Sequence, residues 1–377
     1  MGLRQGALED LAVTPGFWKD RRVLVTGHTG FKGAWLCLWL ESLGARVTGF
    51  ALPPPTEPSL CELARLRESI VSVEGDVRDF DAVFAAMSEN APEIVFHLAA
   101  QALVRPSYRD PLTTFSTNVM GTANVLEAVR RDGRVRAVVN VTSDKCYENR
   151  EWEWGYREAD PMGGHDPYSS SKGCAELVAS AFRRSFFFGN GTNGNRPVFL
   201  ATVRAGNVIG GGDWAEDRLV PDAMRALLDG KPVIVRNPGA VRPWQHVLEP
   251  LAGYLLVAER LLAGGRTYAE AWNFGPSYDD ARPVHWIMDR LAKAWGPGAS
   301  WKTENRAHGA REPHEANYLK LDCSKASARL GWTPALALDV ALDWVVDWYR
   351  RYAAGEDPRG VTLEQIAAYM ERGSRES

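Results

Sequence analysis

Apolar and polar positions in the first half of the chain alternate between short β-rich runs and stretches with helical spacing. The β-rich runs predict strands at residues 23–26, 47–51, 70–73, 94–98, 137–141 and 198–203. The helical stretches predict helices at residues 30–43, 81–90, 111–131 and 167–184, with Asp79 as the start signal of the second. Stacked strand–helix–strand units form a parallel sheet that helices cover on both faces. The pattern therefore predicts an α/β fold with a doubly wound parallel sheet.

The second half of the chain contains loops rich in glycine, asparagine and proline, at residues 189–197 and 210–213. Shorter helices are predicted at 221–228 and 338–352, and a capping box at residues 362–365 predicts the start of a C-terminal helix. Such loops between short elements are typical of a region that covers a substrate. We expect a larger domain over residues 20–185, completed by a strand at 198–205, and a smaller C-terminal α/β substrate-binding region over 186–377.

Charge and composition narrow the range of partners. The 377 residues carry 44 basic and 47 acidic side chains, and 45% of positions are hydrophobic. This balance excludes a general binder of nucleic-acid phosphates or of a membrane surface. The 5 cysteines contain no C-x-x-C pair and the 7 histidines form no ligand-spaced cluster, so neither a disulfide framework nor a metal site is predicted. We expect a cytoplasmic protein without nucleic-acid or membrane partners.

A glycine-rich loop, Gly27-His28-Thr29-Gly30-Phe31-Lys32-Gly33, separates the first predicted strand from the first helix. Glycines at this spacing permit a tight turn and a close approach to a pyrophosphate, which the helix N-terminus attracts through free N–H groups and its dipole. His28 and Lys32 are candidates for direct phosphate contacts. The loop predicts that the larger domain is a Rossmann-type, NAD-binding domain; the alternative is a turn that is merely rich in glycine.

Further cofactor contacts are predicted at the ends of other strands. Asp76, beside Val77, can hold the adenine amino group, or it can form a turn or cap for the next helix. Leu98, Ala99 and Ala100 end the fourth strand and would let a cofactor lie against the backbone; a buried strand end is the alternative. The second strand ends without the acid that usually binds the adenosine ribose, so the residues alone leave NAD and NADP open.

Tyr168 and Lys172 are four residues apart on a predicted helix, so both side chains can meet the same nicotinamide ribose. A nearby cation favours the phenolate, so we expect Lys172 to lower the pKa of Tyr168 and make it a base for a sugar hydroxyl. An exposed helical pair is the alternative.

Three reactive side chains leave the fifth predicted strand at the edge of the sheet where such folds bind ligands. Ser143 can share a hydrogen bond with the hydroxyl that Tyr168 deprotonates, Asp144 can act as an acid, and Lys145 can act as a base if burial lowers its pKa. A strand end that caps the next helix, with a surface ion pair, is the alternative.

These motifs identify the chain as similar to the extended short-chain dehydrogenase/reductase superfamily, and within it to the CDP-D-glucose 4,6-dehydratases. The resemblance covers nearly all of residues 20–350. The segments that carry it are the glycine loop, residues 142–149, 151–158 and 166–168 with Lys172, residues 204–210, and residues 242–247.

The resemblance implies an NAD-dependent hydro-lyase that turns CDP-D-glucose into CDP-4-keto-6-deoxy-D-glucose for deoxysugar biosynthesis. The implied cycle oxidises carbon 4, removes water across carbons 5 and 6, and returns the hydride to carbon 6. Asn207 and Arg242 would face the substrate diphosphate. Lys145 occupies the position at which thymidine-diphosphate-glucose dehydratases have the carboxylate usually assigned as the base at carbon 5.

The resemblance also implies a homodimer or higher homo-oligomer, in which helices 111–131 and 167–184 of two copies form a four-helix interface. Two alternative functions stay open at this point. A nucleotide-sugar 4-epimerase needs Tyr168, Lys172 and the cofactor, but not the Asp144–Lys145 pair. A non-catalytic nucleotide-sugar-binding Rossmann protein needs none of the reactive side chains.

Overall fold

A parallel sheet of seven strands lies at the centre of the molecule. The computed structural model describes residues 13–187, 196–304 and 319–373. The strands are β1 (Arg22–Thr26), β2 (Arg46–Ala51), β3 (Val71–Glu74), β4 (Ile94–His97), β5 (Ala137–Val141), β6 (Phe199–Arg204), β7 (Val208–Ile209), β8 (Val233–Val235), β9 (Val241–Pro243), β10 (Gln245–His246), β11 (Ala271–Asn273), β12 (Ala281–Pro283) and β13 (Trp301–Thr303). The order in the large sheet is β11-β6-β5-β4-β1-β2-β3.

Helices cover the sheet and connect its strands. They are α1 (Pro15–Trp18), α2 (Phe31–Ser42), α3 (Leu60–Leu63), α4 (Phe80–Asn90), α5 (Val104–Arg109), α6 (Pro111–Phe115), α7 (Gly121–Asp132), α8 (Pro167–Phe182), α9 (Leu219–Leu228), α10 (Leu248–Gly264), α11 (Val284–Trp295), α12 (Ser324–Leu330), α13 (Leu338–Ala353) and α14 (Pro358–Gly373). None of the helices in the described ranges combines the length and hydropathy of a membrane span.

Alternate residues of the central strands enter two different hydrophobic cores. In β1, Val23 and Val25 belong to the larger core and Leu24 to the smaller one. Strand β5 repeats this division, with Val139 in the larger core and Val138 in the smaller. A strand that is buried on both faces is typical of a sheet with helices on each side. The predicted doubly wound α/β fold is therefore confirmed.

The order of the strands creates a crevice beside β1. From β1 the chain runs outward through β2 and β3, and then returns to place β4 on the other side of β1. Open α/β sheets bind ligands at such a switch point, outside the carboxyl ends of the strands. The glycine loop follows β1 and therefore lies at this crevice.

The structure differs from the sequence prediction in several places, and it contains helices α10 and α11, which were not predicted. Strand β11 extends the sheet beyond the strand predicted as its last, because its three residues are too few for a clear pattern. The helix predicted over 111–131 consists of α6 and α7 joined by a π-helical turn, Ser116–Met120. Helix α14 begins before the predicted capping box: the Thr362 hydroxyl donates to the Pro358 carbonyl and accepts from Trp348, so it caps nothing.

Within the described ranges, three two-stranded sheets lie outside the large one, and they pair β7 with β10, β8 with β13, and β9 with β12. All of these strands come from the second half of the chain. Strand β11 also comes from the second half, yet it joins the large sheet. The predicted division into regions 20–185 and 186–377 stays a prediction.

Candidate active site

The glycine loop makes a turn that excludes larger residues. Gly27 has a φ of +77°, and a Cβ atom there would lie 2.8 Å from the amide nitrogen of Ala99. A Cβ atom on Gly33 would lie 2.1 Å from the carbonyl oxygen of Gly27. Among the described residues, no side chain caps the N-terminus of α2, which begins at Phe31. Its N–H groups and its dipole therefore suit the pyrophosphate of a dinucleotide.

His28 and Thr29 make contacts within the protein. The Nε2 atom of His28 is 2.8 Å from the hydroxyl oxygen of Ser72, and burial lowers the pKa of His28 to about 4. The hydroxyl of Thr29 donates to the carbonyl of Leu52 over 2.9 Å. A neutral imidazole offers a phosphate a hydrogen bond at most, so the phosphate contact of His28 stays a prediction.

Lys32 lies within electrostatic reach of Asp144 and Lys172. Burial lowers its pKa to about 8, and the positive charges of Arg218 and Lys172 lower it further, while Asp144 opposes them. The first turn of α2 therefore lies near the segment after β5. The contact of Lys32 with a phosphate stays a prediction.

The segment after β4 lies against the glycine loop. The amide of Leu98 donates to the carbonyl of Thr26, and the amide of Ala99 donates to the Thr26 hydroxyl over 3.2 Å. These bonds bring residues 98–100 to the crevice, where the sequence predicted that the cofactor lies.

Asp76 forms a turn after β3. Its carboxylate accepts from the backbone amide of Arg78 over 2.9 Å and from the Arg78 guanidinium, whose hydrogen bond lowers the pKa of Asp76. The neighbouring Val77 is buried against α7, since a Cβ on Gly121 would lie 2.7 Å from it. The turn that the sequence left open is present, while Asp79 caps α4. The adenine contact of Asp76 stays a prediction.

Ser143 and Asp144 leave β5 in a tight 3-10 turn, Asp144–Cys146. The hydroxyl of Ser143 donates to the Asp144 carboxylate over 3.0 Å and accepts from the amide of Lys145 over 3.2 Å. Asp144 is buried, whereas Lys145 is half-buried. The turn thus presents a hydroxyl, an acid and an amine in succession.

Helix α8 places Tyr168 and Lys172 on one face. Asp166 caps the helix by accepting from the amide of Ser169 over 2.9 Å and from its hydroxyl over 2.6 Å. Tyr168 then stands in the first turn and Lys172 in the next, and both are buried. The Nζ atom of Lys172 is 3.4 Å from the carbonyl oxygen of Val141 at the end of β5. Helix α8 is therefore fixed against the strand that carries Ser143.

Burial has the largest effect on the pKa values of Tyr168 and Lys172. It raises the pKa of Tyr168 to about 12, although a hydrogen bond with Ser143 opposes the rise. Burial also lowers the pKa of Lys172 to about 8. The sequence predicted a lowered pKa for Tyr168, which is wrong for this state of the protein. That prediction weighed the ammonium group of Lys172 and left out the cost of burying a phenolate.

A buried ion pair joins α8 to β6 beside these residues, and the sequence did not reveal it. The guanidinium of Arg204 in β6 donates to both carboxylate oxygens of Glu176 in α8, over 2.8 and 2.9 Å. The hydroxyls of Thr142 and Thr202 donate to the same carboxylate over 2.5 and 2.7 Å. Glu176 stands one turn after Lys172, and this spacing was the signal that could have shown it.

The two predicted substrate residues lie in the second half of the chain. Asn207 follows β6 with a φ of +47°, and its backbone carbonyl accepts from the amide of Gln245 over 3.2 Å. Arg242 lies in β9, where it pairs with Arg282 of β12 and donates to the Val241 carbonyl over 3.0 Å. Their contacts with a diphosphate stay predictions.

Relatives of known activity match almost the whole chain. A CDP-glucose 4,6-dehydratase from Salmonella typhimurium is 55% identical over 364 residues, which are 96% of this chain and 100% of that protein. A dTDP-glucose 4,6-dehydratase from Streptomyces antibioticus is 30% identical over 77% of this chain and 79% of its own.

Solved structures share the fold. A dTDP-glucose 4,6-dehydratase from Bacillus anthracis in complex with NAD has a TM-score of 0.70 at 21% identity, over 90% of this chain and 99% of its own. A UDP-glucose 4-epimerase from Thermotoga maritima has a TM-score of 0.71 at 22% identity, over 88% and 99%. The model of one family, described as "NAD dependent epimerase/dehydratase family", matches residues 23–275. The chain therefore belongs to the NAD dependent epimerase/dehydratase family, as its resemblance predicted.

Proposed function

We propose that this protein is a hydro-lyase that converts CDP-D-glucose to CDP-4-keto-6-deoxy-D-glucose. The observation that carries the proposal is the turn after β5, which adds Asp144 and Lys145 to the group formed by Ser143, Tyr168 and Lys172. An oxidation at a sugar carbon needs only the latter three residues, whereas an elimination needs an acid and a base as well. The 55% identity to a CDP-glucose 4,6-dehydratase supports the same reaction class and the same nucleotide.

NAD fits the crevice, and family membership supports it as the cofactor. The turn at Gly27 and the close approach of Gly33 leave no room for side chains where a pyrophosphate would meet the N-terminus of α2. Residues 98–100 and Lys172 would lie along the rest of the cofactor. When bound, NAD supplies the hydride acceptor for carbon 4 of the sugar and the hydride donor for carbon 6.

Tyr168 and Ser143 act on the hydroxyl at carbon 4. Tyr168 removes its proton, and Ser143, which is hydrogen-bonded to Tyr168, orients the same oxygen. Lys172 places a positive charge beside the phenolate that this role requires. Because burial alone raises the pKa of Tyr168, positive charge in the filled site is needed to bring it towards neutral pH.

Asp144 and Lys145 act at the neighbouring carbons. The ketone at carbon 4 acidifies the proton on carbon 5, which Lys145 removes. Asp144 protonates the hydroxyl that leaves carbon 6, so that water departs. Lys145 returns its proton to carbon 5 as carbon 6 receives the hydride, and the proton that Tyr168 took from oxygen 4 replaces the one that Asp144 lost. Asn207 and Arg242 bind the diphosphate through an amide and a guanidinium group.

The same family contains epimerases, and the Asp144–Lys145 pair separates the two functions. A 4-epimerase returns the hydride to carbon 4 and loses no water, so it has no use for an acid beside carbon 6. A binding protein has no use for Tyr168 buried against Ser143. The turn after β5 therefore favours the dehydratase over both.

The proposal extends to assembly and compartment. Several large apolar side chains are exposed on the segment 111–132 and on α8 and the turn that follows it, namely Leu112, Met120, Leu177 and Phe186. We assign this surface to a second copy of the chain, as the resemblance implied.

The cysteines of the described residues are free thiols, which supports a reducing, cytoplasmic setting.

Steady-state kinetics with four substrates test the proposal. Purified protein is given CDP-, dTDP-, UDP- and GDP-glucose in turn, and the 4-keto-6-deoxy product is followed by its absorbance in alkali. We expect kcat/KM for CDP-glucose to exceed the other three by at least about tenfold, which corresponds to about 1.4 kcal/mol of discrimination. A preference for another nucleotide would overturn the assignment of the base, and isomers without water loss would overturn the reaction.

A further inference from the structure

Gly206 lies two residues beyond the end of β6, directly beside the Asp144 carboxylate. A Cβ atom at position 206 would lie 1.7 Å from the Oδ2 atom of Asp144 and 2.2 Å from its Cγ atom. Contacts under 3.0 Å do not occur for real Cβ atoms, so the carboxylate occupies the space that a side chain at 206 would take. Gly206 is not among the residues with a positive φ, so the backbone conformation does not explain why a glycine stands here; the positive φ belongs to the next residue, Asn207.

From this contact we infer that Gly206 is a positioning residue that fixes the rotamer of Asp144 for the elimination step. The inference rests on the proposed function, in which Asp144 is the acid at carbon 6. Gly206, which has no side chain, thus acts in the elimination and not in the oxidation at carbon 4.

The backbone at Gly206 is clamped from the other side. The side-chain amide of Gln245 donates to the Gly206 carbonyl over 3.3 Å and to the Phe274 carbonyl, after β11, over 2.9 Å. The backbone amide of Gln245 donates to the carbonyl of Asn207 over 3.2 Å. Gln245 is itself buried. The segment after β6 is therefore tied to two neighbouring strands and cannot easily retreat from Asp144.

The carboxylate of Asp144 is consequently held between two fixed groups. Ser143 donates to its Oδ1 atom over 3.0 Å, and the α-carbon of Gly206 lies beside its Oδ2 atom. A methyl group at 206 forces the carboxylate to rotate, because the clamped backbone yields less than a side-chain torsion. The three heavy atoms nearest to this methyl group all belong to the carboxyl group of Asp144, so we expect the oxidation at carbon 4 to keep its machinery.

The test compares two reactions of the full-length Gly206→Ala protein loaded with NAD. CDP-glucose reports the complete dehydration. CDP-6-deoxy-D-glucose has the hydroxyl at carbon 4 but no leaving group at carbon 6, so it reports only the oxidation, through the near-ultraviolet absorbance of the reduced nicotinamide. We expect dehydration to fall about 100-fold, the lower end of a general acid's contribution, and the oxidation rate to stay within about threefold.

Gly275→Ala is the matched control. Gly275 stands two residues beyond the end of β11, as Gly206 does beyond β6, and a Cβ there would keep an ordinary distance of 3.4 Å from its nearest neighbours. We expect both rates to stay within about threefold of the wild type. Equal losses of both rates in Gly206→Ala would show a general structural defect and overturn the inference, as would an unchanged rate of dehydration.

A second variant and a crystal structure separate this inference from the proposed function. In an Asp144→Ala background the space beside 206 is empty, so adding Gly206→Ala should change the dehydration rate less than about twofold. Full additivity would contradict an effect through Asp144. A crystal structure of Gly206→Ala should show a rotated Asp144 side chain, whatever reaction the enzyme catalyses. An Asp144 carboxylate that has not moved would refute the inference. A wild-type protein that is inactive on CDP-glucose would refute only the proposed function.

Discussion

Tyr168 combines two demands that oppose each other. In its proposed role as a base it must lose its proton, yet its burial raises its pKa to about 12. The hydrogen bond with Ser143 and the positive charge of Arg218 oppose this rise in pKa, and Lys172 stands one turn further along the same helix. In the proposed mechanism the phenolate form of Tyr168 is therefore a property of the filled site, where positive charge offsets the cost of burying it.

Replacing Tyr168 by phenylalanine tests this role. We expect Tyr168→Phe to lower kcat by about 10² to 10⁴, since a positioned base contributes that much, and to leave the Kd of CDP within about twofold. Steady-state kinetics measures kcat, and isothermal titration calorimetry measures the Kd of CDP. Tyr254→Phe is the control: Tyr254 is also buried within electrostatic reach of Tyr168, but its hydroxyl has no hydrogen-bond partner among the described residues. Equal losses in both variants would contradict the assignment.

Lys145 is the residue whose role the sequence left most open. If it removes the proton on carbon 5, Lys145→Met should lower dehydration by at least about 10² while the oxidation of CDP-6-deoxy-D-glucose continues. The two rates are measured as for Gly206→Ala. Dehydration that persists in Lys145→Met would move the base to another group.

The sequence pointed to candidate residues with reactive side chains. It did not point to Gly206, whose proposed role depends on the absence of a side chain. Ser143, Asp144, Tyr168 and Lys172 stand at strand ends and helix spacings that their chemistry makes recognisable. Gly206 is separated from Asp144 by a long stretch of sequence, and only the sheet brings them together. The pKa of Tyr168 was missed for a related reason, because burial depends on distant segments that pack over the site.

At the scale of elements, α8 joins the catalytic residues to the sheet. Its face carries Tyr168, Lys172 and Glu176 at intervals of one turn, and Glu176 pairs with Arg204 in β6. Burial alone would raise the pKa of Glu176, but Arg204 and the hydrogen bonds to the carboxylate hold that pKa below its usual value. The pair is therefore ionised and fixes the distance between helix and strand.

Breaking this pair should destabilise the protein. We expect Glu176→Gln to lower the free energy of unfolding by about 3–5 kcal/mol, because it leaves the Arg204 charge buried without its counter-charge. Urea unfolding of the full chain measures the change. Glu127→Gln removes the surface ion pairs with Arg130 and Arg131 and should cost less than about 1 kcal/mol. A cost for Glu176→Gln as small as that of the control would contradict the role of the pair.

Most elements of the first half were predictable, whereas short elements and the helices α10 and α11 were not; α10 is buried on most of its surface and so shows no narrow apolar stripe. Strands β1 and β5 follow from runs of apolar residues, and helix α4 from its start signal Asp79. The three residues of β11 became a strand because the edge of β6 offered hydrogen-bond partners. The capping box at 362–365 misled because Thr362 instead bonds the preceding turn and Trp348 of α13.

At the scale of the whole molecule, Glu249 connects α10 to the C-terminal part of the chain. Its carboxyl group accepts from the backbone amides of Ala335 and Leu336 and from the hydroxyl of Tyr369 in α14. Burial nonetheless raises its pKa to about 7, from a usual value of 4.5. Glu249 therefore keeps its proton in the folded state over a range in which the unfolded chain has lost it.

The sign of the resulting pH dependence follows from linkage. Below about pH 4.5 both states are protonated, and between about pH 4.5 and about pH 7 the folded state binds the extra proton, so stability falls as the pH rises. Relative to Glu249→Gln, the wild type should lose up to roughly 3 kcal/mol between about pH 5 and about pH 8. Urea unfolding at both pH values measures this difference. A difference that is constant with pH would contradict the raised pKa.

The proposed interface between two copies makes a further prediction. Leu177 on α8 is 62% exposed in the single chain, and we expect Leu177→Glu to turn a dimer into monomers, because an unpaired carboxylate would be buried. Light scattering after gel filtration measures the mass. Ile234 in β8 is 49% exposed outside these helices, and Ile234→Glu should leave the dimer intact. A monomeric wild type, or dissociation by both variants, would contradict the proposed surface.

The central claim is that one site oxidises carbon 4 of CDP-glucose, removes water and reduces carbon 6. The most direct measurement follows deuterium from carbon 4 of labelled CDP-D-glucose by mass spectrometry and NMR. We expect a product that has lost one water and carries the deuterium on carbon 6, with no net reduction of the cofactor. Deuterium that stays on carbon 4 of a product with unchanged mass would contradict the account and identify a 4-epimerase.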